Sequence, residues 1–204
     1  MVEKIILLPE LFPSINRYNL IFRKEGKVAV CSDPRFNKRQ KLVHRYTIAD
    51  ANGTISLTVP VEKPAHSLDA GWNDVGISRH GQWWNIHRTA LESAYSRTPF
   101  FEFYIDRLLP FISSDTPDRF RSVAELAIES ERTVLKALGL EPLSETEEPV
   151  NHTVTPEVAP APYWQVRQDR FGFIPGMSIL DLLFNLGPEA PLYLRQAAEA
   201  SEGI

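Results

Sequence analysis

Trp84, His87, Leu91 and Tyr95 lie three, four and four residues apart, the spacing of a single stripe along a helix. An imidazole has an unperturbed pKa of about 6.5, so His87 in such a stripe is suited to act as a general base. The same pattern also describes a histidine satisfied within an aromatic core. Arg88 and Glu92 would then be a solvent-facing i,i+4 pair worth roughly a few tenths of a kcal/mol.

Two further groups have residue types that suit ligand chemistry. Arg35, Lys38, Arg39 and Lys41, with His44 and Arg45 beyond them, form a basic loop after a strand. Arginine there can clamp a phosphate or carboxylate with two parallel N–H donors, and lysine can act as a point charge. The alternative is a solvated charge run. Asp181 sits inside the apolar run Ile179 to Leu186, where an unpaired carboxylate would cost several kcal/mol. It must therefore face a polar cleft or be paired. Asn185, one turn later, shares its face.

The elements that would hold these groups read as α/β. Lys4 to Leu8 is a β-branched apolar run, Ser14 can cap a helix to Phe22, and Lys27 to Ser32 is a second strand. Strand, helix, strand over about thirty residues is the length of a parallel βαβ unit. A hairpin is expected where the alternating runs His44–Ile48 and Thr54–Val61 flank Asn52-Gly53, with Pro60 at a strand end. Residues 62–80 read as loop. Helices are expected from Trp83 to Tyr95, from a Thr98 cap with Pro99 at the first helical position, and from the Ser122–Glu125 capping box to Leu138. Glu141 to Pro162 holds five glutamates, five prolines and no lysine or arginine, the composition of a flexible linker. Tyr163–Arg167 reads as a strand, Ser178 as the cap of the apolar helix, and the tail after Pro191 as a frayed helix. The whole is expected to be one domain over residues 1–204: a parallel or mixed sheet with a hairpin extension and flanking helices.

Composition narrows the function classes. The net charge is −4 and no extended basic surface is apparent, so duplex nucleic acid is not an expected partner. No run approaches the roughly 18 apolar residues of a membrane span, and the N-terminal apolar run, which carries Glu3 and Lys4 and stops at Pro9, does not read as a signal peptide. The lone Cys31, in a strand-like run, suits a reducing compartment, so a cytoplasmic location is expected. The five histidines are dispersed and no Gly-rich phosphate loop, Gly-x-Ser-x-Gly elbow or His-Glu-x-x-His site occurs. No metal and no cofactor are expected.

Taken together, several blocks resemble the WbqC-like proteins associated with bacterial polysaccharide and O-antigen biosynthesis. They are Leu8-Pro9, Phe12-Pro13 and Tyr18; Lys38, Arg39 and His44-Arg45; Asn52-Gly53 and Leu57 to Val61; Trp83, His87, Leu91-Glu92, Tyr95, Pro99 to Phe101 and Tyr104; and Phe173 to Pro175 with Ser178 to Asn185. The resemblance implies transfer of an acyl or aminoacyl group to a nucleotide-linked amino sugar, with the nucleotide sugar or an activated acyl donor as small-molecule partner. This chain would be a short form. It has Leu8 where members often carry glutamine before the proline, and the acidic segment where longer members carry a Gly-rich one. Both departures remove polar groups and favour a binding module without turnover. Under the enzyme reading, Lys38, Arg39, His44, Arg45, Trp84, Asp181 and Asn185 bind substrate, while His87, Glu92 and Tyr95 do the chemistry, all opening onto one cleft. A homodimer through the Trp/Phe-rich surface is a further expectation.

Overall fold

Short β-branched runs give way to capped helices along the chain, and a computed structural model describes the result for residues 4–64, 69–154 and 161–202. Strand β1 (Ile5–Leu7) leads through α1 (Ile15–Arg23) to β2 (Val28–Cys31). The hairpin β3 (Arg45–Asp50) and β4 (Gly53–Thr58) follows, then the two-residue strands β5 (Val61–Glu62) and β6 (Gly76–Ile77). Next come α2 (Trp83–Tyr95), α3 (Phe101–Leu108), α4 (Thr116–Arg119), α5 (Val123–Ala137) and β7 (Ser144–Thr146). The chain ends with α6 (Gln168–Phe171), α7 (Ile179–Leu186) and α8 (Ala190–Glu202).

β1 and β2 pair in parallel with Ile5 opposite Val28, as the βαβ spacing predicts, and β7 adds a third parallel strand beside β2. The β3–β4 hairpin and the β5–β6 pair are antiparallel. The class is α/β in a single domain, with the expected hairpin extension. α7 explains much of the packing. Its residues Ile179 to Asn185 are all buried, as a helix that is apolar on every side must be, and it packs against α1, α3, α8 and β3.

Four local readings change. The hairpin pairs Asp50 with Gly53, so Ala51-Asn52 makes the turn. The Asp50 carboxylate accepts from Asn52 N–H at 3.2 Å, and Gly53, at φ 113°, absorbs the positive angle on the return strand. Thr98 does not cap α3. Its hydroxyl donates back to the Tyr95 carbonyl at 2.7 Å, and α3 starts at Phe101. Tyr163–Arg167 is not a strand, because its polar groups bond to α7 side chains rather than to a ladder. The tail is not frayed at its start: Ala190, Leu194, Ala197 and Ala198 of α8 are buried, and the helix packs on α1.

The acidic segment 141–162 holds structure as well. Besides β7, Asn151 closes the outer edge of β1. Its side-chain oxygen accepts from Ile6 N–H at 2.8 Å, its side-chain amide donates to the Lys4 carbonyl at 2.9 Å, and its backbone N–H donates to the Ile6 carbonyl at 3.1 Å. A side chain thus supplies the pairing that another strand would give. The rest of that reading falls partly on residues 155–160, outside the described residues.

Candidate functional site

The basic loop leaves the carboxyl end of β2, the edge where open parallel sheets bind ligands. Pro34 and Phe36 anchor it. Trp72 N–H donates to the Pro34 carbonyl at 2.9 Å and Phe36 N–H to the Ala70 carbonyl at 2.8 Å. The Phe36 ring meets the buried Trp72 edge-on at 4.9 Å. Beyond Phe36 the chain turns on Asn37, whose side-chain oxygen accepts from Arg39 N–H at 3.0 Å. The turn ends in Lys41–Val43, held down by Leu11 N–H on the Leu42 carbonyl at 3.0 Å.

Arg35, Phe36, Asn37, Lys38 and Gln40 line an open depression of about 530 Å³ on this loop. The Gln40 side-chain oxygen accepts from the Trp72 indole N–H at 2.9 Å, and an indole nitrogen can only donate. The Asn37 oxygen is likewise fixed by a backbone N–H. Each of these amide oxygens accepts one hydrogen bond from the protein, and each amide also carries an NH₂ group, beside the side chains of Arg35 and Lys38. Cations and amide N–H groups are the residue types that suit an oxyanion. Arg39 is exposed on the same turn. Arg45 is half-buried and donates to the Thr58 hydroxyl at 2.8 Å.

His44 stands behind this wall. Its Nδ1 lies 2.8 Å from the Val59 carbonyl, and its ring is 5.9 Å from that of Trp72. Burial, with Lys41 and Arg45 adding to it, pushes its pKa down, against the opposing pull of the Val59 carbonyl.

The α2 stripe does different work. His87 is 1% exposed, packed against Trp83 at 5.0 Å and Tyr46 at 5.5 Å. Its Nδ1 is 3.1 Å from the Tyr46 hydroxyl, and the ring also hydrogen-bonds to the Thr58 backbone. Burial lowers its pKa to about 4, so it is neutral at physiological pH. Trp84 is half-buried against Trp83. Glu92 pairs with Arg88 at 2.8 Å in solvent.

Tyr95 and Asp181 meet in a third place. The Asp181 carboxylate is 0% exposed. One oxygen accepts from the Tyr95 hydroxyl at 2.8 Å, and the other from the Tyr163 hydroxyl and from Gln165 at 2.9 Å. The Tyr95 oxygen in turn accepts from Ala49 N–H at 3.0 Å. Burial pushes the Asp181 pKa up, and the three donors pull it back. Asn185 accepts from Val166 N–H at 3.1 Å and donates to the Asp181 carbonyl at 2.7 Å. Asp181 is thus paired, by phenols and an amide rather than by an arginine.

The expected common cleft is not what forms. β3 is the spine, with His44 just before its start, His87 beneath Tyr46, and Tyr95–Asp181 at Ala49. Five residues separate His44 from Ala49, about 16 Å of extended chain, so these groups are strung along the strand. Tyr95, Asp181 and Asn185 meet in one buried network, while Lys38 and Arg39 lie on the exposed turn and His44 and Arg45 are held by the hairpin at Val59 and Thr58.

Sequence reasoning missed Asn37, Gln40 and Trp72 as site builders. Trp72 falls in the stretch read as loop, where a lone indole among Gly, Asn and Asp was the only signal. It also missed the buried Arg17–Glu131 pair (2.5 and 2.8 Å) that fixes α1 to α5. Among the described residues no group of three or more His, Cys, Asp or Glu side chains could hold a metal, and no helix is long and apolar enough to cross a membrane.

The family model for WbqC-like proteins matches residues 9–157, well over half of the chain. The chain belongs to the WbqC-like protein family. No curated protein and no solved structure matches it. The matched stretch of this WbqC-like chain contains the whole basic loop, Trp72 and α2, and stops short of α7.

Proposed function

We propose that this WbqC-like chain binds the phosphate-bearing part of a nucleotide-linked amino sugar on the 35–40 loop, as an acyl- or aminoacyl-transferase-like protein of bacterial surface polysaccharide biosynthesis. The observation that carries the reading is the open depression lined by two cationic residues, Arg35 and Lys38, and two amides, Asn37 and Gln40. Arg39, exposed on the same turn, adds positive field. The sugar and the transfer step come from the family resemblance. Holding the nucleotide would keep the amine in place for an activated acyl donor, and such positioning supplies much of the rate in transfer chemistry.

A second reading, a module of the same family that binds a nucleotide sugar or a partner without turnover, is favoured by a specific observation. The α2 residues expected to do chemistry are engaged elsewhere: His87 sealed beneath Tyr46, Glu92 in a surface pair, Tyr95 between Ala49 and Asp181. His87, Glu92 and Tyr95 support the architecture in this proposal, and Trp84 is left as the one half-exposed aromatic of that face.

A thermal-shift screen of nucleotides, nucleotide sugars and acyl donors, followed by a transfer assay on whatever stabilises the protein, tests both readings. Stabilisation by nucleotide sugars with acyl product supports the first. Stabilisation without product supports the second. Indifference to every phosphate-bearing compound rejects the first reading and the nucleotide-sugar form of the second.

A further inference from the structure

We propose that Glu10 is a proton-operated latch on the 8–12 segment, which stays closed while the carboxyl holds its proton and opens to admit water when it ionises. The latch acts whether or not the 35–40 loop takes an anion. The segment leaves the carboxyl end of β1 and is pinned on both sides of Glu10. Before it, Arg17 Nη1 donates to the Leu8 carbonyl at 2.8 Å. After it, Leu11 N–H donates to the Leu42 carbonyl at 3.0 Å, and the Phe12 carbonyl accepts from the Ser178 hydroxyl at 2.9 Å. Phe12 stands at φ 41°, a left-handed conformation that a bulky side chain adopts only under constraint. The segment is thus held in a shape it would not keep alone.

Glu10 is 8% exposed, and the one guanidinium that bears on it is already committed. Arg17, itself fully buried, gives Nε and Nη2 to Glu131 at 2.5 and 2.8 Å. Arg17 of α1 and Glu131 of α5 are the charged groups that act on the Glu10 carboxyl. Tyr18, beside Arg17 and under the same three charges, is buried with no hydrogen-bond partner for its hydroxyl among the described residues. Two carboxylates therefore share one guanidinium in a site closed to water, and the second is costly to ionise there.

Burial raises the Glu10 pKa above its ordinary 4.5 and Glu131 adds to the rise, while Arg17 opposes it. The closed segment then binds the proton more tightly than the open one. Closure is firmest below pH 4.5 and weakens as pH climbs from there through the closed-state value. Opening is a local event, because Glu10 lies close enough to the surface for a small outward movement to hydrate it. Since Leu11 N–H holds the Leu42 carbonyl, opening also frees the Lys41–Val43 turn that ends the basic loop.

Amide hydrogen exchange of the full chain over a series of pH values, corrected for intrinsic rates, tests the latch together with a carbon-13 NMR titration of the glutamate carboxyls. The expected result is a Glu10 carboxyl that titrates above 4.5. Across that interval protection of the Leu11 amide should fall by up to about tenfold per pH unit, and it should stay weaker than at Leu183 of α7. Glu10→Gln keeps the size but cannot ionise, so its Leu11 protection should be flat over the same range. A Glu10 carboxyl that titrates at 4.5 or below in the parent would overturn the latch without recourse to any variant. Leu11 protection that is flat in the parent, or that slopes equally in Glu10→Gln, would also overturn it. Equal protection at Leu11 and Leu183 throughout would mean that only global unfolding exposes the segment, and the latch would fail.

Discussion

A buried imidazole and a buried carboxylate each answer the question of whether a polar residue on an apolar face is catalytic or satisfied. At His87 and Asp181 the answer is satisfied. The spacing of Trp84, His87, Leu91 and Tyr95 was legible as a stripe, but whether a stripe faces a cleft or a core depends on what covers it. Here Tyr46 of β3 covers it, a partner forty-one residues away that periodicity in α2 cannot reveal. Because the folded pKa of His87 is about 4 and the unfolded value about 6.5, the unfolded chain binds the extra proton between them. Stability conferred by this group is thus present above pH 6.5 and lost as pH falls toward 4, by about 3 kcal/mol at most. Urea denaturation at a series of pH values should show that slope, and His87→Gln should flatten it. Asp181 runs the other way, since its raised pKa means stability declines as pH climbs through the folded value. Asp181→Ala should cost on the order of 3–5 kcal/mol, because three donors lose their acceptor in a dry site. Asp181→Asn should cost less, and denaturant midpoints would rank the two.

Elements were easier to read than their edges. The βαβ unit, the hairpin, α2, the Ser122 cap and the Ser178 cap all follow from short-range signals: Ser122 accepts from Glu125 N–H at 3.1 Å and Ser178 from Leu180 N–H at 3.3 Å. β7 was not legible. Ser-Glu-Thr in an acidic, proline-rich stretch has no apolar alternation, and its strand conformation comes from the free edge of β2. Asn151 is the matching case at β1, where one side chain supplies two hydrogen bonds to the strand edge. Asn151→Ala should destabilise the fold by roughly 1–3 kcal/mol, and the Ile6 amide should exchange with solvent markedly faster than in the parent protein. Unchanged exchange at Ile6 would mean that the edge is held by the backbone bonds of Asn151 and His152 alone. Gly187 marks another element boundary. At φ 53° it lets the chain turn from α7 toward α8, and a Cβ there would fall on the Phe100 ring. Gly187→Ala should therefore lower the melting temperature by several degrees.

Across the whole molecule, the buried polar network at Asp181 and the exposed basic loop are separate. The Asp181 network and α7 tie the 163–174 segment and the hairpin into the core, while the basic loop stands at the carboxyl edge of the sheet with Lys38 and Arg39 exposed. Family membership was legible because its blocks are spread along the chain in order. The candidate site was only half legible: charge marked Lys38 and Arg39, but the amide orientations of Asn37 and Gln40 depend on a backbone turn and on Trp72. The most direct test is calorimetric titration of pyrophosphate into the parent protein, Lys38→Ala and Gln40→Ala at fixed, low salt. Binding by the parent, weakened about tenfold or more in Lys38→Ala and several-fold in Gln40→Ala, is the predicted result. Equal affinity in all three proteins, or no binding by the parent, would contradict it.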